Sequence, residues 1–190
     1  FVTWRRDADY YRDEWHGKWE LEGGGILINQ AVHTLDLMIS FLGRPDQVET
    51  MMANLHLRGV IPEEDTVTMF VRSGDKRGLL YATGAASDDE PVILEIIANR
   101  GRIRLEQEEL ELRTDEGIQR FSCPGDRKLG KSYWGSGHGK CIADFYHSIE
   151  TGEPFRNRPE TCEDTMEALF RAYEEGKKFL ACQEGTLMDS

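Results

Sequence analysis

Much that would mark a function outright is scarce here. Cysteine appears four times, at Cys123, Cys141, Cys162 and Cys182, with no C-x-x-C pair and no close Cys/His spacing. No metal site is therefore expected, and reduced thiols of a cytoplasmic protein are the plain reading. Positive charge is scarce too: Lys+Arg 23 against Asp+Glu 35 leaves a net charge of −12 over 190 residues. That balance argues against a nucleic-acid backbone or an anionic membrane surface as partner. No apolar run approaches the roughly 20 residues of a membrane span, and Phe1–Tyr10 (FVTWRRDADY) lacks the apolar core of a signal peptide. No G-x-G-x-x-G follows an apolar strand, so no dinucleotide-binding unit is expected and no nicotinamide cofactor should bind this chain tightly. Gly125–Ser132 fits the phosphate-loop expression G-x-x-x-x-G-K-[ST], but Cys123-Pro124 precedes it and Gly135-Ser136-Gly137 follows soon after. The buried strand and helix start that such a loop requires are both missing.

What is present sorts into blocks. The first 25 residues are aromatic and polar, with Trp4, Tyr10, Tyr11, Trp15 and Trp19, and end in Gly23-Gly24-Gly25. Val2 and Trp4 read as the middle of a strand, and the chain, starting at Phe1, reads as a piece of something longer. Ile28–Leu42 carries a helix-length apolar pattern stopped by Gly43 and Pro45. From Val48 to Ser122 the period changes towards two, with short turn-rich connections, predicting roughly six strands in an antiparallel meander. Helices follow over 138–151 and 159–182, with Pro159 in first-turn position. Strands grouped between helices define α+β: an open, predominantly antiparallel sheet with helices on one face, in one domain spanning 1–190. The acidic runs Asp88-Asp89-Glu90 and Glu106-Gln107-Glu108-Glu109 read as solvated hairpin surface.

The strongest constellation lies on the first helix. Asn29, His33, Asp36 and Ser40 stand at i, i+4, i+7 and i+11, within roughly 60° of arc on an ideal helix, while apolar residues fill most of the remainder. In one reading His33 is a general acid/base whose ring Asp36 orients, and Asn29 binds a substrate hydroxyl. In the other, His33 is a core histidine satisfied by Asp36. The glycine triplet either lets backbone approach another molecule closely or is an ordinary loop. Tyr133–Gly139 is an aromatic, glycine-rich loop with His138 near a helix start, suited to a sugar face or to plain packing.

Several of these residues together resemble a known pattern: Tyr10-Tyr11, Trp15-His16-Gly17-Lys18-Trp19, Glu22-Gly23-Gly24-Gly25, Asn29 through Asp36, and Phe41-Leu42-Gly43, with Gly137-His138, Asp144-Phe145 and Gly152-Glu153-Pro154 later. The chain resembles the C-terminal domain of the glucose-fructose oxidoreductase / inositol dehydrogenase (Gfo/Idh/MocA) family over about 4–44 and 133–175. The resemblance implies a two-domain oxidoreductase whose N-terminal Rossmann domain binds NAD or NADP. The C-terminal half then meets a sugar or polyol and assembles a homo-oligomer through its sheet, and this chain alone is inactive. It implies His33 as the catalytic histidine, with Asn29, Asp36, Trp15 and His138 as candidate substrate-binding residues. Many relatives carry Asp where this chain has Asn29, and an amide cannot take a proton. A glycoside-cleaving, NAD-dependent variant and a non-enzymatic sugar-binding or assembly module therefore remain alternatives.

Overall fold

Period-two alternation from Gln47 onward becomes strand pairing, but in two separate four-stranded sheets where one was expected. A computed structural model describes residues 1–122 and 137–185. The phosphate-loop match at 125–132 and the Tyr133–Ser136 rings lie outside the described residues. The chain falls into two compact units, Phe1–Pro91 with Glu163–Ser190, and Val92–Cys162.

In the first unit, β2 (Gln47–Ala53), β3 (Thr66–Ser73) and β4 (Lys76–Thr83) form an antiparallel meander. The short β1 (Val2–Thr3) joins β4 in parallel, pairing Val2 with Ala82, as the strand-like start predicted. Val48, Thr50 and Met52 of β2 alternate inward and meet Val71, Met69 and Val67 of β3. After the single-turn α1 (Trp19–Glu22), α2 (Val32–Leu42) covers their face through Leu35, Met38, Ile39 and Leu42, together with α4 (Glu163–Gly185) through Ala168, Leu169, Ala172 and Tyr173. Each large aliphatic side chain buried there contributes about 1.5–3 kcal/mol. The expected stop at Gly43 holds: its N–H reaches Ile39 O at 2.7 Å and its φ is 85°. Pro159 opens a short 3-10 turn, Pro159–Cys162, ahead of α4. One correction concerns length: the stretch Trp19–Leu42 does reach the length and apolarity of a membrane span. Ile26, Leu27, Ala31 and Leu35 are fully buried, which is the packing of a core helix.

The second unit is a meander of β5 (Ile93–Ala98), β6 (Gly101–Glu106), β7 (Glu109–Thr114) and β8 (Gly117–Ser122), joined by two-residue turns. Its register sorts the faces. One carries Leu94, Leu105, Leu110 and Phe121 side by side, with Ile96, Ile103 and Leu112 next to them. The other carries Glu95, Arg104, Glu111 and Arg120 in alternating sign, tied by Arg104–Glu95 and Arg120–Glu111 pairs at 3.5 and 2.9 Å. The acidic run at 106–109 is the β6–β7 turn, as read. Asp89 departs from that reading, because its Oδ1 accepts from Arg5 N–H at 2.9 Å and Arg6 Nη1 at 3.1 Å within the first unit. The same second unit holds α3 (Gly137–Thr151), ended by Gly152 with φ 74°.

Candidate functional site

A helix start leaves several N–H groups without intrahelical partners, and here one acidic residue takes three of them. Glu64, fully buried, accepts from Gly25 N–H at 3.1 Å and Leu27 N–H at 3.0 Å through its carboxyl oxygens. Its carbonyl takes Ile26 N–H at 3.0 Å. The Tyr173 hydroxyl of α4 adds a fourth donor at 2.9 Å. Burial pushes the Glu64 carboxyl up to about 7, against the pull of the Leu27, Tyr173 and Gly25 donors. Burial likewise drives the Tyr173 hydroxyl well above its ordinary range, and the Glu64 charge adds to it.

This arrangement explains the glycine triplet. A Cβ on Gly25 would lie 1.9 Å from Glu64 O, and one on Gly24 would lie 2.0 Å from the Tyr173 hydroxyl. The close approach read from the sequence is real, but the partner is the chain's own Glu64 and Tyr173 rather than a ligand. Adjacent Asp65, also fully buried, accepts N–H groups from Leu55, His56 and Leu57 at 2.6–2.9 Å. Sequence reasoning missed both acids, because an acidic triplet such as Glu63-Glu64-Asp65 has no periodicity to separate it from solvated surface.

Leu27–Ala31 winds as a π turn before α2 begins, so Asn29 and Gln30 sit on a wider turn than the ideal helix used for the arc. Asn29 Nδ2 donates to Glu22 Oε1, and Glu22 Oε2 accepts Gly17 N–H. Burial raises the Glu22 carboxyl above its ordinary value, opposed by Gly17 N–H and by nearby His16 and assisted by Asp13. Gln30, buried, donates from Nε2 to the Tyr10 hydroxyl at 3.1 Å. Tyr10 leans on His16 with ring centres 4.7 Å apart, Trp15 stacks on His16 at 3.6 Å, and Asp13 holds His16 Nδ1 at 2.5 Å. Trp15 and Asn29 are thus linked through His16, Gly17 and Glu22. Neither Glu22 nor His16 was singled out beforehand; the one signal was their place in the aromatic and glycine stretches.

Of the polar stripe read from the sequence, the structure turns His33, Asp36 and Ser40 outward, beside exposed Leu37 and Phe41. The His33 side chain makes no hydrogen bond among the described residues. Asp36 does not orient it: Asp36 Oδ1 accepts the Thr165 hydroxyl of α4 at 2.7 Å, tying α2 to α4. Ser40 bonds back to Leu37 O at 2.7 Å within its own helix. His138 is exposed at the second residue of α3, in the other compact unit.

The single parallel pairing, β1 with β4, involves two residues, and no strand–helix–strand crossover with a glycine-rich turn accompanies it among the described residues. Nor do three or more His, Cys, Asp or Glu side chains cluster as a metal site among the described residues.

The fold and the α2 face define an α+β domain that presents an exposed histidine on a helix entered through a glycine triplet. A sequence model described as the GFO/IDH/MocA C-terminal domain matches residues 1–104, and the chain belongs to that family. The WlbA dehydrogenase from Bordetella pertussis, solved with NADH and UDP-GlcNAcA, is similar at TM-score 0.73 and 21% identity, covering 93% of this chain and 53% of that one. A levoglucosan dehydrogenase solved with NADH and levoglucosan gives TM-score 0.71 and 19% identity over 95% and 55%. UDP-N-acetylglucosamine 3-dehydrogenase GnnA from Acidithiobacillus ferrooxidans gives 0.68 and 15% over 87% and 52%. At these identities the likeness is one of fold, and the chain spans about half the length of the solved structures it matches. A comparison with curated proteins finds no match.

Proposed function

We propose that this chain is the substrate-facing and assembly half of a cytoplasmic NAD(P)-dependent oxidoreductase acting on a sugar or polyol hydroxyl. The observation that carries the reading is the outward face of α2. There His33 stands with no protein partner among the described residues, one turn after Asn29, whose amide is held by Glu22. An imidazole can take a hydroxyl proton or return it. Asn29 holds a substrate hydroxyl, while Trp15 offers a ring face and His138 a further polar contact. Asp36 secures α2 through Thr165.

In this reading the dinucleotide is held by a separate N-terminal Rossmann half, which the chain's span of about half the length of its solved relatives supports. Exposed Leu37 and Phe41, at 37% and 51%, flank His33 and suit a face that another domain covers. Assembly into a homo-oligomer is supported by the second unit's apolar sheet face, built from Leu94, Leu105, Leu110 and their neighbours.

The test is His33→Ala in the full-length protein. We expect kcat to fall by about 10²–10⁴, the usual worth of a general acid/base, with the melting temperature unchanged because His33 is exposed. Near-normal turnover in a stable variant removes His33 from the mechanism. Absence of any sugar or polyol oxidation in the wild type favours a sugar-binding module instead.

A further inference from the structure

Asn29, on the π turn that leads into α2, has its amide held in one orientation. A side-chain amide has a donor end and an acceptor end, and an ionised carboxylate only accepts. Glu22 Oε1 therefore takes Asn29 Nδ2, and Gly17 N–H occupies the other carboxyl oxygen. The amide is planar, so committing Nδ2 to Glu22 leaves Oδ1 on the opposite side of Cγ. No hydrogen bond reaches that Oδ1 among the described residues.

We infer that Glu22 is a positioning residue that locks the Asn29 amide with Oδ1 free, making Asn29 an acceptor for a substrate hydroxyl and a poor site for a ketone or carboxylate oxygen. The inference deepens the proposed function and rests on it for the word substrate; the lock itself does not depend on it. It also gives the Asn29 position a chemical sense. An aspartate there would set a second carboxylate against Glu22, and two carboxylates in contact cannot both ionise freely. The asparagine supplies the neutral donor that Glu22 requires, and with it a fixed acceptor.

The groups facing Glu22 are Asn29 from the π turn and Gly17, His16, Asp13 and the Tyr11 hydroxyl from the preceding loop. Protonating Glu22 turns one carboxyl oxygen into a donor, which can serve Asn29 Oδ1 and release the amide to turn over. The half-buried setting places that step above the ordinary carboxyl value of 4.5.

The experiment is an NMR titration of the chain from pH 7 down to pH 3.5, following the Asn29 side-chain ¹⁵N–¹H₂ signals and the Glu22 ¹³Cδ signal. We expect both to move with one shared midpoint above 4.5, and the Asn29 step to vanish in Glu22→Gln. An Asn29 amide that ignores the Glu22 midpoint in the wild type overturns the inference without any variant, as does an Asn29 step that survives in a folded Glu22→Gln. In the full-length oxidoreductase, Glu22→Gln should raise KM about tenfold with kcat within about threefold, and Glu22→Asp should restore part of the loss. An unchanged KM removes the specificity role. Unchanged turnover in His33→Ala sinks the proposed function, while the amide titration still decides the lock.

Discussion

Glu64 gives the sharpest stability test. Its carboxyl is fully buried, and burial carries it from an ordinary 4.5 to about 7 in the folded chain. A raised carboxyl means the native state holds its proton more tightly than the unfolded one. The contribution is fully present below pH 4.5 and is lost as pH rises to about 7. At about 1.4 kcal/mol per pH unit, that shift corresponds to about 3 kcal/mol. For a domain of this size it amounts to a fall in melting temperature of about 6–12 °C. Glu64→Gln removes the titration. It also sets an amide N–H against one of the backbone donors now served by Oε1 and Oε2, costing about 1–3 kcal/mol at every pH. The assay is urea unfolding of wild type and variant at half-unit steps from pH 4.5 to 8, comparing the difference between the two so that other groups cancel. We expect the wild type's advantage to shrink by about 3 kcal/mol across that window. Parallel stability curves from pH 5 to 8 would refute the argument that burial outweighs the donors around Glu64.

Gly25→Ala puts a methyl 1.9 Å from a backbone oxygen, which no rotamer change relieves. It should cost about 3 kcal/mol or more, seen as a melting temperature lower by about 6 °C or more; a change under about 2 °C contradicts the packing at Glu64. The apolar face of the second sheet should hold the chain in oligomers, with Leu112→Glu shifting sedimentation towards monomer. A wild-type chain that sediments as a monomer at high concentration would remove that face from assembly.

Spacing showed the helix and the alternation of the strand block, since burial on one side writes a period into the sequence. It did not show that the block divides between β4 and β5. Gly84–Pro91 looks like any turn-rich connection, and only long-range pairing assigns β5 to a separate sheet. The site was legible in its residue types and not in its contacts. His33 and Asp36 stand at a spacing that suggests a pair, yet Asp36 finds Thr165, a partner 129 positions away. The π turn was hidden because helical pattern reading assumes an α-helix. Glu64 was hidden because a buried acid differs from a surface acid only in the donors that surround it.

Those donors explain how the face proposed for catalysis can be exposed and still well placed. Catalytic groups need positions held to fractions of an ångström, and that rigidity must come from beneath them. Here the entry to α2 is pinned by Glu64 through Gly25, Ile26 and Leu27, its far side by Asp36 and Thr165, and the π turn by Glu22 and Tyr10. All of these act on the backbone or on neighbours of His33, and none binds the imidazole. Under the proposed function, that leaves the exposed ring available to substrate. The arrangement places the structural hydrogen bonds and the reactive group on different residues, so their effects should separate under mutation. Glu64→Gln acts on stability and its pH dependence, and His33→Ala acts on turnover alone.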